Sequence, residues 1–527
     1  MKVESVVIVG TGSSGWMTAA LLSKMCPHLE IAIVEDPDGK PVGVGESTLG
    51  HFNLFLKLLD LKDEDWMPAC NATNKNSIRF TNFREGKGEK FEYPFTTNWD
   101  QQFAPNGLNT WSQFALQDPE NFPPETFAEM WTDNTFLAEY NRQTRNEDGR
   151  LRSFNFNYDT AYHLDADLFG QYLRDNIAIP NGVKVLEGKI TGYQAEAVND
   201  PTIRYIIMDY ESAIFADLFV DCTGFKSLLL EGYMHQEYIP FNKKLANDSA
   251  WACRIPYENR EEEMHNVTDC HAMKNGWAWN IPLWNRIGTG YCYSSRFCTK
   301  EEAKEEFIEH LGERGKDAEL FHIDIRHGKR RHAWYKNVVG VGLSYGFLEP
   351  LESTGLLTTH ENAIWLASVL SQRDGRVTSS DIAGYNYTVE YTLDSFSDFI
   401  SMHYSHSMRD DTPYWRYVTN ICDYLPEAKS PHQPKHKTLI DYQTDTIAGR
   451  NWHESFNGMA YIAAGMGYKS TPTKDLMDAD FHHKGWEQDW MDEIREGFLQ
   501  YKKDMIEYVK SLPTHYEFLR DEIYKTK

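Results

Sequence analysis

The sequence predicts an α/β protein with a doubly wound sheet, and three observations lead to that prediction. The apolar run 6–9 ends in glycines and precedes residues 16–22, which have the composition of a helix. A second apolar run, 31–34, ends at acidic residues and completes a βαβ unit. Two further apolar strands ending in turn residues lie at 218–224 and 338–342. We therefore expect one sheet whose strands are separated by long insertions.

Length and charge limit the classes of function open to the chain. Its 527 residues can bury a large core and suffice for several structural units or one large enzyme fold with insertions. The 78 acidic side chains outnumber the 53 basic ones, which gives a formal net charge of −25. That balance disfavours nucleic acid or an anionic membrane surface as a partner.

Cysteine usage and the amino-terminal sequence indicate a reducing compartment. The eight cysteines include no Cys-x-x-Cys pair, so neither a zinc site nor a disulfide framework is indicated, and we expect no metal. The chain begins with a predicted strand, without a signal-peptide pattern or an apolar stretch long enough to span a membrane. We therefore expect a cytoplasmic protein; its oligomeric state is open, and a homo-oligomer is one alternative.

A glycine-rich turn between the first predicted strand and helix indicates a dinucleotide site. Its spacing is Gly-x-Gly-x-x-Gly, and Glu35 lies 20 residues (35 − 15) after the third glycine. The first glycine permits a tight turn, the second admits a pyrophosphate, and the third packs the helix against the strand. Free N–H groups at the helix start hold phosphates, and the acid accepts hydrogen bonds from a ribose. The predicted contacts are Gly10, Gly12, Ser13, Ser14, Gly15 and Glu35.

Two further segments carry the most specific evidence for function. One has the sequence Gly-Trp-Ala-Trp-Asn-Ile-Pro-Leu at residues 276–283, and the other has Glu-Ser-Thr-Gly at residues 352–355. Together with the glycine-rich turn, these segments resemble the flavin-dependent halogenases, the family that includes the tryptophan halogenases. The resemblance extends from about residue 5 to residue 420 and implies a glutathione-reductase-like FAD-binding fold.

The resemblance implies FAD as the cofactor. Residues 43–48 resemble the strap that covers the flavin, and residues 216–225 resemble a second strand and turn that contact FAD. Val341 stands where flavin hydroxylases of the same fold usually carry an acid, which counts against a hydroxylase. Because the chain has no second dinucleotide fingerprint, reduced FAD (FADH2) is expected from a separate flavin reductase. The additional FAD contacts implied are Gly45, Glu46, Ser47, Asp221, Gly342 and Leu343.

The resemblance also implies the catalytic residues. Glu352 aligns with the catalytic glutamate of the family, and Lys75 aligns with its catalytic lysine. A helix is expected to begin near Thr354 and Gly355, and N–H groups at a helix start can bind a halide ion. Without the resemblance, Lys75 would be interpreted as an exposed lysine and Glu352 as an acid placed for the helix dipole.

The implied reaction uses reduced FAD, oxygen and chloride, bromide or iodide to make hypohalous acid. Lys75 would donate a hydrogen bond to this oxidant and direct it at an electron-rich aromatic carbon. Glu352 would stabilise the cationic ring or remove its proton. The alternative for the paired tryptophans is packing of two indoles on one strand face. The residues expected near the flavin and the substrate are Trp277, Trp279, Ile281, Pro282 and Ser353.

The substrate region departs from the tryptophan halogenases. Tyr93 stands where a histidine is expected before a Pro-Phe pair, and the family's cluster for the charged groups of the amino acid is not recognisable at 441–454. Free tryptophan is therefore not the expected substrate, and an indole, a phenol or a larger aromatic stays open. Two alternative functions are a flavin monooxygenase that hydroxylates an aromatic substrate and a non-catalytic FAD-fold binding module.

Composition divides the rest of the chain. Residues from about 80 to 160 are rich in aromatic residues, Asn and Pro and show poor periodicity, which indicates an irregular insertion. From about residue 360 the pattern is helical, and one apolar helix face lies near the carboxyl terminus. We predict an FAD-binding domain over 1–370 and a helical region covering the substrate over 371–527. The apolar face comprises Trp486, Trp490, Ile494, Phe498, Tyr501, Met505 and Val509.

Overall fold

The computed structural model describes residues 1–39, 43–96, 102–103, 108–421, 455–467 and 488–526. The chain forms two compact units, each built from three separate stretches. Unit 1 comprises Met1–Ala72, Leu164–Asn242 and Ile325–Ser395, and unit 2 comprises Thr73–His163, Lys243–Asp324 and Phe396–Lys527.

The two units interleave along the chain. The division into an FAD-binding domain over 1–370 and a helical region that covers the substrate over 371–527 stays a prediction.

Twenty-two strands lie within the described residues. In chain order they are β1 (Ser5–Val9), β2 (Glu30–Glu35), β3 (Glu46–Ser47), β4 (Thr73–Lys75), β5 (Ser77–Thr81), β6 (Lys90–Pro94), β7 (Ala161–Leu164), β8 (Lys184–Glu187), β9 (Ile190–Ala197), β10 (Asp200–Met208), β11 (Ala213–Phe215), β12 (Leu218–Asp221), β13 (Tyr238–Pro240), β14 (Ser249–Ile255), β15 (Val267–Ala272), β16 (Gly276–Pro282), β17 (Ile287–Tyr293), β18 (Phe321–Asp324), β19 (Gly328–Arg330), β20 (Trp334–Tyr335), β21 (Val338–Gly340) and β22 (Gly346–Phe347).

Seventeen α-helices lie within the same described residues. They are α1 (Ser13–Met25), α2 (Phe52–Leu58), α3 (Asp63–Ala69), α4 (Leu108–Gln117), α5 (Thr126–Trp131), α6 (Asn134–Glu139), α7 (Phe156–Asp159), α8 (Ala166–Leu173), α9 (Arg260–Glu263), α10 (Lys300–Leu311), α11 (Glu313–Lys316), α12 (Thr354–Ser371), α13 (Ser379–Ser405), α14 (Pro413–Ile421), α15 (Ser455–Gly465), α16 (Gln488–Ser511) and α17 (His515–Phe518).

The main sheet of unit 1 confirms the predicted doubly wound α/β fold. Its six strands have the order β20-β21-β12-β1-β2-β8, and all neighbours are parallel except β20 and β21. The apolar runs that predicted these strands are buried because helices such as α1 pack against the sheet. One apolar core cluster of unit 1 comprises Val7, Val9, Val34, Ile203, Ile206, Met208, Phe219, Leu229, Leu230, Met234 and Val338.

Two smaller antiparallel sheets also lie in unit 1. One has the order β11-β10-β9, and the other has the order β13-β19-β22. β22, the last strand of the second sheet in chain order, ends shortly before Glu352.

Unit 2 contains a seven-stranded sheet that the sequence did not predict. Its order is β18-β14-β17-β16-β15-β5-β6, and only β15 and β5 are parallel neighbours. The region at about 80–160, expected to be irregular, contributes β6, part of β5 and the short helices α4 to α7. Burial of both sheet faces removes the alternation of polar and apolar residues on which a strand prediction depends.

The predicted helical character after residue 360 is confirmed within the described residues by α12 to α17. On α16 the predicted apolar face is buried at Ile494, Phe498, Met505 and Val509, while Trp490 is more exposed. Trp486 and residues 441–454 lie outside the described residues.

The described residues also bear on the expected cysteine and metal chemistry. Seven of the cysteines lie there, and each is a buried free thiol. No cluster of His, Cys, Asp and Glu side chains among the described residues is suited to a metal ion. None of the helices described is both long and apolar enough to cross a membrane.

Candidate active site

Lys75 is fully buried at the end of β4 in unit 2. β4 pairs with β7 in antiparallel register, with Lys75 opposite Ala161. The Lys75 Nζ lies 5.0 Å from the centroid of the Phe95 ring, a cation–π contact. Because a lysine is seldom fully buried, this environment excludes the interpretation of Lys75 as an ordinary exposed residue.

The strand that carries Lys75 is tied to the end of the tryptophan motif. Thr73 Oγ1 donates a hydrogen bond of 2.6 Å to the carbonyl oxygen of Pro282. His163, opposite Thr73 on β7, lies 3.3 Å from Thr73 Oγ1 through Nδ1 and 2.8 Å from Thr268 Oγ1 through Nε2. Burial, reinforced by the charge of Lys75, holds the pKa of His163 well below its usual range. A neutral imidazole therefore neighbours the lysine.

Aromatic rings extend from Phe95 into unit 2. The Tyr93 ring lies 5.9 Å from Phe95, 5.9 Å from Phe399 and 5.7 Å from Tyr461. Tyr461 in turn contacts the Phe127 ring at 5.4 Å. All five rings are buried, so they form one aromatic cluster that reaches the lysine through Phe95.

Trp277 and Trp279 lie on β16, in the interior of the seven-stranded sheet. Their ring centroids are 5.9 Å apart and tilted by 53°. Ala278, on the opposite face, belongs to an apolar cluster with Tyr291, so the two tryptophans occupy the other face. A Cβ added at Gly290 would come within 2.2 Å of the Trp279 ring, and this glycine therefore makes room for the indole. Ile281 and Pro282, which follow on the same strand, are also buried.

Glu352 is fully buried in unit 1, at the end of the 3-10 turn Pro350–Glu352. Ser353 has a positive φ of 56°, which turns the chain sharply before α12 begins at Thr354. The Ser353 hydroxyl donates to Ser47 Oγ at 3.0 Å and does not cap the helix. The first turn of α12 contains no acid, and a Cβ at Gly355 would meet no atom of the described residues within 4 Å. These N–H groups and the open space suit a small anion.

The glycine-rich turn has the geometry that its spacing predicts. Gly10 has a φ of +104°, and a Cβ there would lie 2.5 Å from the carbonyl oxygen of Cys222. A Cβ at Gly15 would lie 1.9 Å from the carbonyl oxygen of Gly10, so only glycine allows this close packing. α1 begins after Gly12 without a side-chain cap or an acid in its first turn. Glu35 ends the neighbouring β2.

A family model described as tryptophan halogenase matches residues 5–480. The chain belongs to the tryptophan halogenase family. Its relatives include the 7-chloro-L-tryptophan 6-halogenase KtzR of Kutzneria sp. (strain 744), 31% identical over 98% of both chains. The tryptophan 7-halogenase RebH of Lentzea aerocolonigenes is 30% identical over 99% of both chains.

Solved structures agree with this membership. The apo structure of VirX1 is 62% identical over 100% of both chains, with a TM-score of 0.93. The tryptophan 6-halogenase SttH of Streptomyces toxytricini is 28% identical over 98% of this chain and 99% of that one, with a TM-score of 0.81. The protein is therefore an enzyme of the flavin-dependent halogenases, which confirms the fold class and the family that the sequence predicted.

The residues of unit 1 fit the FAD that such an enzyme uses. The uncapped start of α1, with Ser13, Ser14 and Gly15, suits a pyrophosphate, and Glu35 suits a ribose. Gly342 has a φ of +67°, and a Cβ there would lie 3.1 Å from the Ser14 Cβ, so the segment Gly342–Leu343 packs close to the same helix start.

The predicted strap and the predicted second FAD-contacting turn each contain an acid whose pKa is raised by burial. Gly45 has a φ of +130°, and burial, with the nearby charges of Asp167 and Asp165, raises the pKa of Glu46 to about 7. The Asp221 carboxylate accepts hydrogen bonds from the N–H groups of Thr223, Leu229 and Leu230 and from the Thr223 hydroxyl. Asp221 thus organises the turn through protein donors, and its contact with FAD stays a prediction.

The predicted site residues divide between the units. Lys75 and the tryptophan motif belong to unit 2, whereas the glycine-rich turn, the strap, Glu352 and the halide-binding residues Thr354 and Gly355 belong to unit 1. Sequence reasoning noted Phe95 only as part of the Pro-Phe pair after Tyr93 and did not place it beside Lys75. It missed His163 and the bond between Ser47 and Ser353. The members of these pairs are 20 to 306 residues apart, and no local pattern encodes such partners.

Proposed function

We propose that the protein is a two-component, FAD-dependent halogenase that transfers chlorine, bromine or iodine to an electron-rich aromatic molecule other than free tryptophan. The complete burial of Lys75 beside Phe95, in a chain of the tryptophan halogenase family, supports this most directly. Bound reduced FAD, supplied by a separate flavin reductase, would react with oxygen and furnish the oxidising equivalent that turns halide into hypohalous acid.

Lys75 directs the oxidant in this proposal. Its ammonium group has donors and no acceptor, and it lies against an aromatic face instead of bulk water. A hydrogen bond from Nζ to the oxygen of hypohalous acid makes the halogen more electrophilic and fixes its direction. Exclusion of water strengthens that hydrogen bond and limits loss of the oxidant by diffusion.

In this proposal Glu352 acts on the aromatic ring, and the start of α12 binds the halide. The Glu352 carboxylate stabilises the cationic ring that forms when the halogen adds to carbon, and it accepts the proton that leaves. The N–H groups at Thr354 and Gly355 hold the halide, because a helix start that lacks a side-chain cap and an acid leaves its donors for an anion.

The substrate is an indole, a phenol or a larger electron-rich aromatic. The rings of Tyr93, Phe95, Phe399 and Tyr461 offer stacking and edge contacts to a flat aromatic molecule. Tyr93 replaces the histidine expected in the tryptophan halogenases, which supports a substrate other than the free amino acid.

The test supplies the protein with FAD, a flavin reductase, NADH and one halide at a time. A panel of indoles, phenols and free tryptophan is then followed by mass spectrometry. We expect products heavier by one halogen in place of hydrogen from at least one indole or phenol and none from free tryptophan. Products that gain only oxygen, with or without halide, would establish a monooxygenase instead.

The Lys75→Ala variant and the Glu352→Gln variant separate the roles of the two side chains. FAD binding is followed by flavin absorbance, and oxygen consumption is followed with an electrode. Both variants are expected to keep FAD and consume oxygen while losing halogenated product. Halogenation that persists in Lys75→Ala removes the lysine from the mechanism.

A further inference from the structure

One amide side chain in unit 2 holds three separate stretches of chain together. Asn134 is fully buried at the first position of α6. Its Nδ2 donates hydrogen bonds to the carbonyl oxygens of Asn76 at 3.0 Å, Phe95 at 2.9 Å and Asp159 at 3.1 Å. An amide has two N–H groups, so one of them is shared between two carbonyls.

Each of these three stretches forms part of the surroundings of Lys75. Asn76 follows Lys75 in the chain, and Phe95 supplies the ring beneath its ammonium group. Asp159, the last residue of α7, lies two residues before Ala161, which pairs with Lys75 across β4 and β7. The carbonyl of Asn76 also accepts a bond of 3.2 Å from the Phe95 N–H, so the first two stretches are joined directly as well.

The chemistry of an uncharged donor matches this position. Three carbonyl dipoles that converge in a buried space repel one another unless a donor lies between them. An –NH2 group satisfies them without adding charge beside the lysine. Alanine at this position leaves the three carbonyls without that donor, and the three stretches are expected to move apart.

We propose that Asn134 is a positioning residue for Lys75: it fixes the lysine over the Phe95 ring by holding these three stretches in register. This inference rests on the proposed role of Lys75 in directing the oxidant. Because a displacement of about 1 Å in a reacting group can cost about 100-fold in rate, loss of the amide acts on the transfer step through the three stretches that Asn134 bonds.

The test compares Asn134→Ala with Asn337→Ala, a matched control in unit 1. Asn337 is a buried amide whose side chain exchanges two hydrogen bonds with the backbone of Ile203, far in sequence from Lys75. The measured quantity is the ratio of halogenated substrate to hypohalous acid captured by a soluble 1,3-diketone. We expect this ratio to fall at least tenfold in Asn134→Ala and to stay near the wild-type value in Asn337→Ala.

Amide hydrogen exchange, read by mass spectrometry, supplies a measurement that does not depend on activity. Faster exchange confined to residues 73–78, 91–96 and 157–161 in Asn134→Ala supports the inference. If exchange in those segments is unchanged, or if the ratio matches that of Asn337→Ala, the inference is overturned. The Asn134→Ser variant, which keeps one smaller donor, is expected to recover part of the ratio if the alanine variant folds poorly.

Failure of the proposed function gives a different result. A wild-type enzyme that makes no halogenated product, or a Lys75→Ala variant that still makes it, overturns the role of the lysine without any change at Asn134. The exchange measurement then still decides whether the amide holds the three segments.

Discussion

Lys75 and Glu352 are both fully buried, but the two units bury them in different ways. Lys75 lies on a short strand, and the residues that surround it come from distant parts of unit 2 and are joined by side-chain hydrogen bonds. Glu352 lies in unit 1 on a tight turn whose shape is set by its neighbours in sequence, from Pro350 to Ser353.

The comparison shows that a functional side chain can be buried either by a local turn or by contacts between distant parts of the chain. A local turn places Glu352 through backbone conformation, which tolerates few substitutions within the turn itself. A non-local arrangement places Lys75 through Thr73, Phe95 and Asn134, so changes at any of several distant positions should disturb it. We therefore expect substitutions around the two residues to differ in how far their effects extend.

The largest expected effect comes from Lys75→Met, which keeps an unbranched side chain one atom shorter and removes the charge. Halogenated product should fall about 1,000-fold or more, because the hydrogen bond to the oxidant is lost and general acid–base contributions are of that order. FAD binding should be unchanged. The measurement is product formation by mass spectrometry beside flavin absorbance.

Lys329→Met is the matched control for loss of a buried lysine. Lys329 is 4% exposed in unit 1 and forms ion pairs with Glu390 at 2.8 Å and Asp394 at 2.7 Å. Its removal should lower the melting temperature and leave the product per folded molecule near the wild-type value. Equal losses of product in the two variants would show that burial of charge, not the position of Lys75, accounts for the result.

The same contrast explains how much the sequence could predict. The helix start at Thr354, the glycine-rich turn and four strands of the main sheet, β1, β2, β12 and β21, depend on residues close together in the chain, and their patterns predicted them. The two edge strands, β8 and β20, were not predicted. The bonds from Asn134 and the pairing of β15 with β5 join residues between 25 and 190 positions apart, and no local pattern encodes such partners. The pairing of β15 with β5 was missed for this reason, whereas the individual strands of that sheet were missed because they lack an alternation of polar and apolar residues.

His360 is a buried polar residue of unit 1 that is not one of the predicted site residues, so it shows what burial alone does to a titratable group. Its ring lies 5.5 Å from Phe52 and 6.1 Å from Phe55, and within the described part of the chain neither of its nitrogens has a hydrogen-bond partner. Burial, with a smaller effect of His51, lowers its pKa from the usual 6.5 to about 3. Between pH 6.5 and about pH 3 the histidine is protonated in the unfolded chain but neutral in the folded chain. The free energy of unfolding therefore falls as the pH drops below 6.5.

We expect His360→Phe to protect the protein from acid. The free energy of unfolding of the variant minus that of wild type should be about 2 kcal/mol larger at pH 5 than at pH 8. His515→Phe is the matched contrast, since His515 is equally buried but its Nδ1 bonds to the carbonyl oxygen of Met264 at 3.1 Å. It should lose stability at pH 8, where His360→Phe should not. Melting temperatures at the two pH values measure both effects, and parallel curves for wild type and His360→Phe would contradict the assignment.

The smallest expected effect tests the local turn at Ser353. Its φ of 56° costs a residue with a Cβ about 1 kcal/mol, and glycine avoids this cost. Ser353→Gly and Ser353→Ala both remove the hydroxyl that donates to Ser47, so both lose the link to the strap equally. The glycine variant should therefore be about 1 kcal/mol more stable than the alanine variant, while the two have the same halogenation rate. Thermal denaturation gives the first comparison and product formation the second. Equal stabilities would mean that the turn relaxes when the hydroxyl is removed, and that the position of Glu352 depends on the bond from Ser353 to Ser47 more than on local backbone conformation.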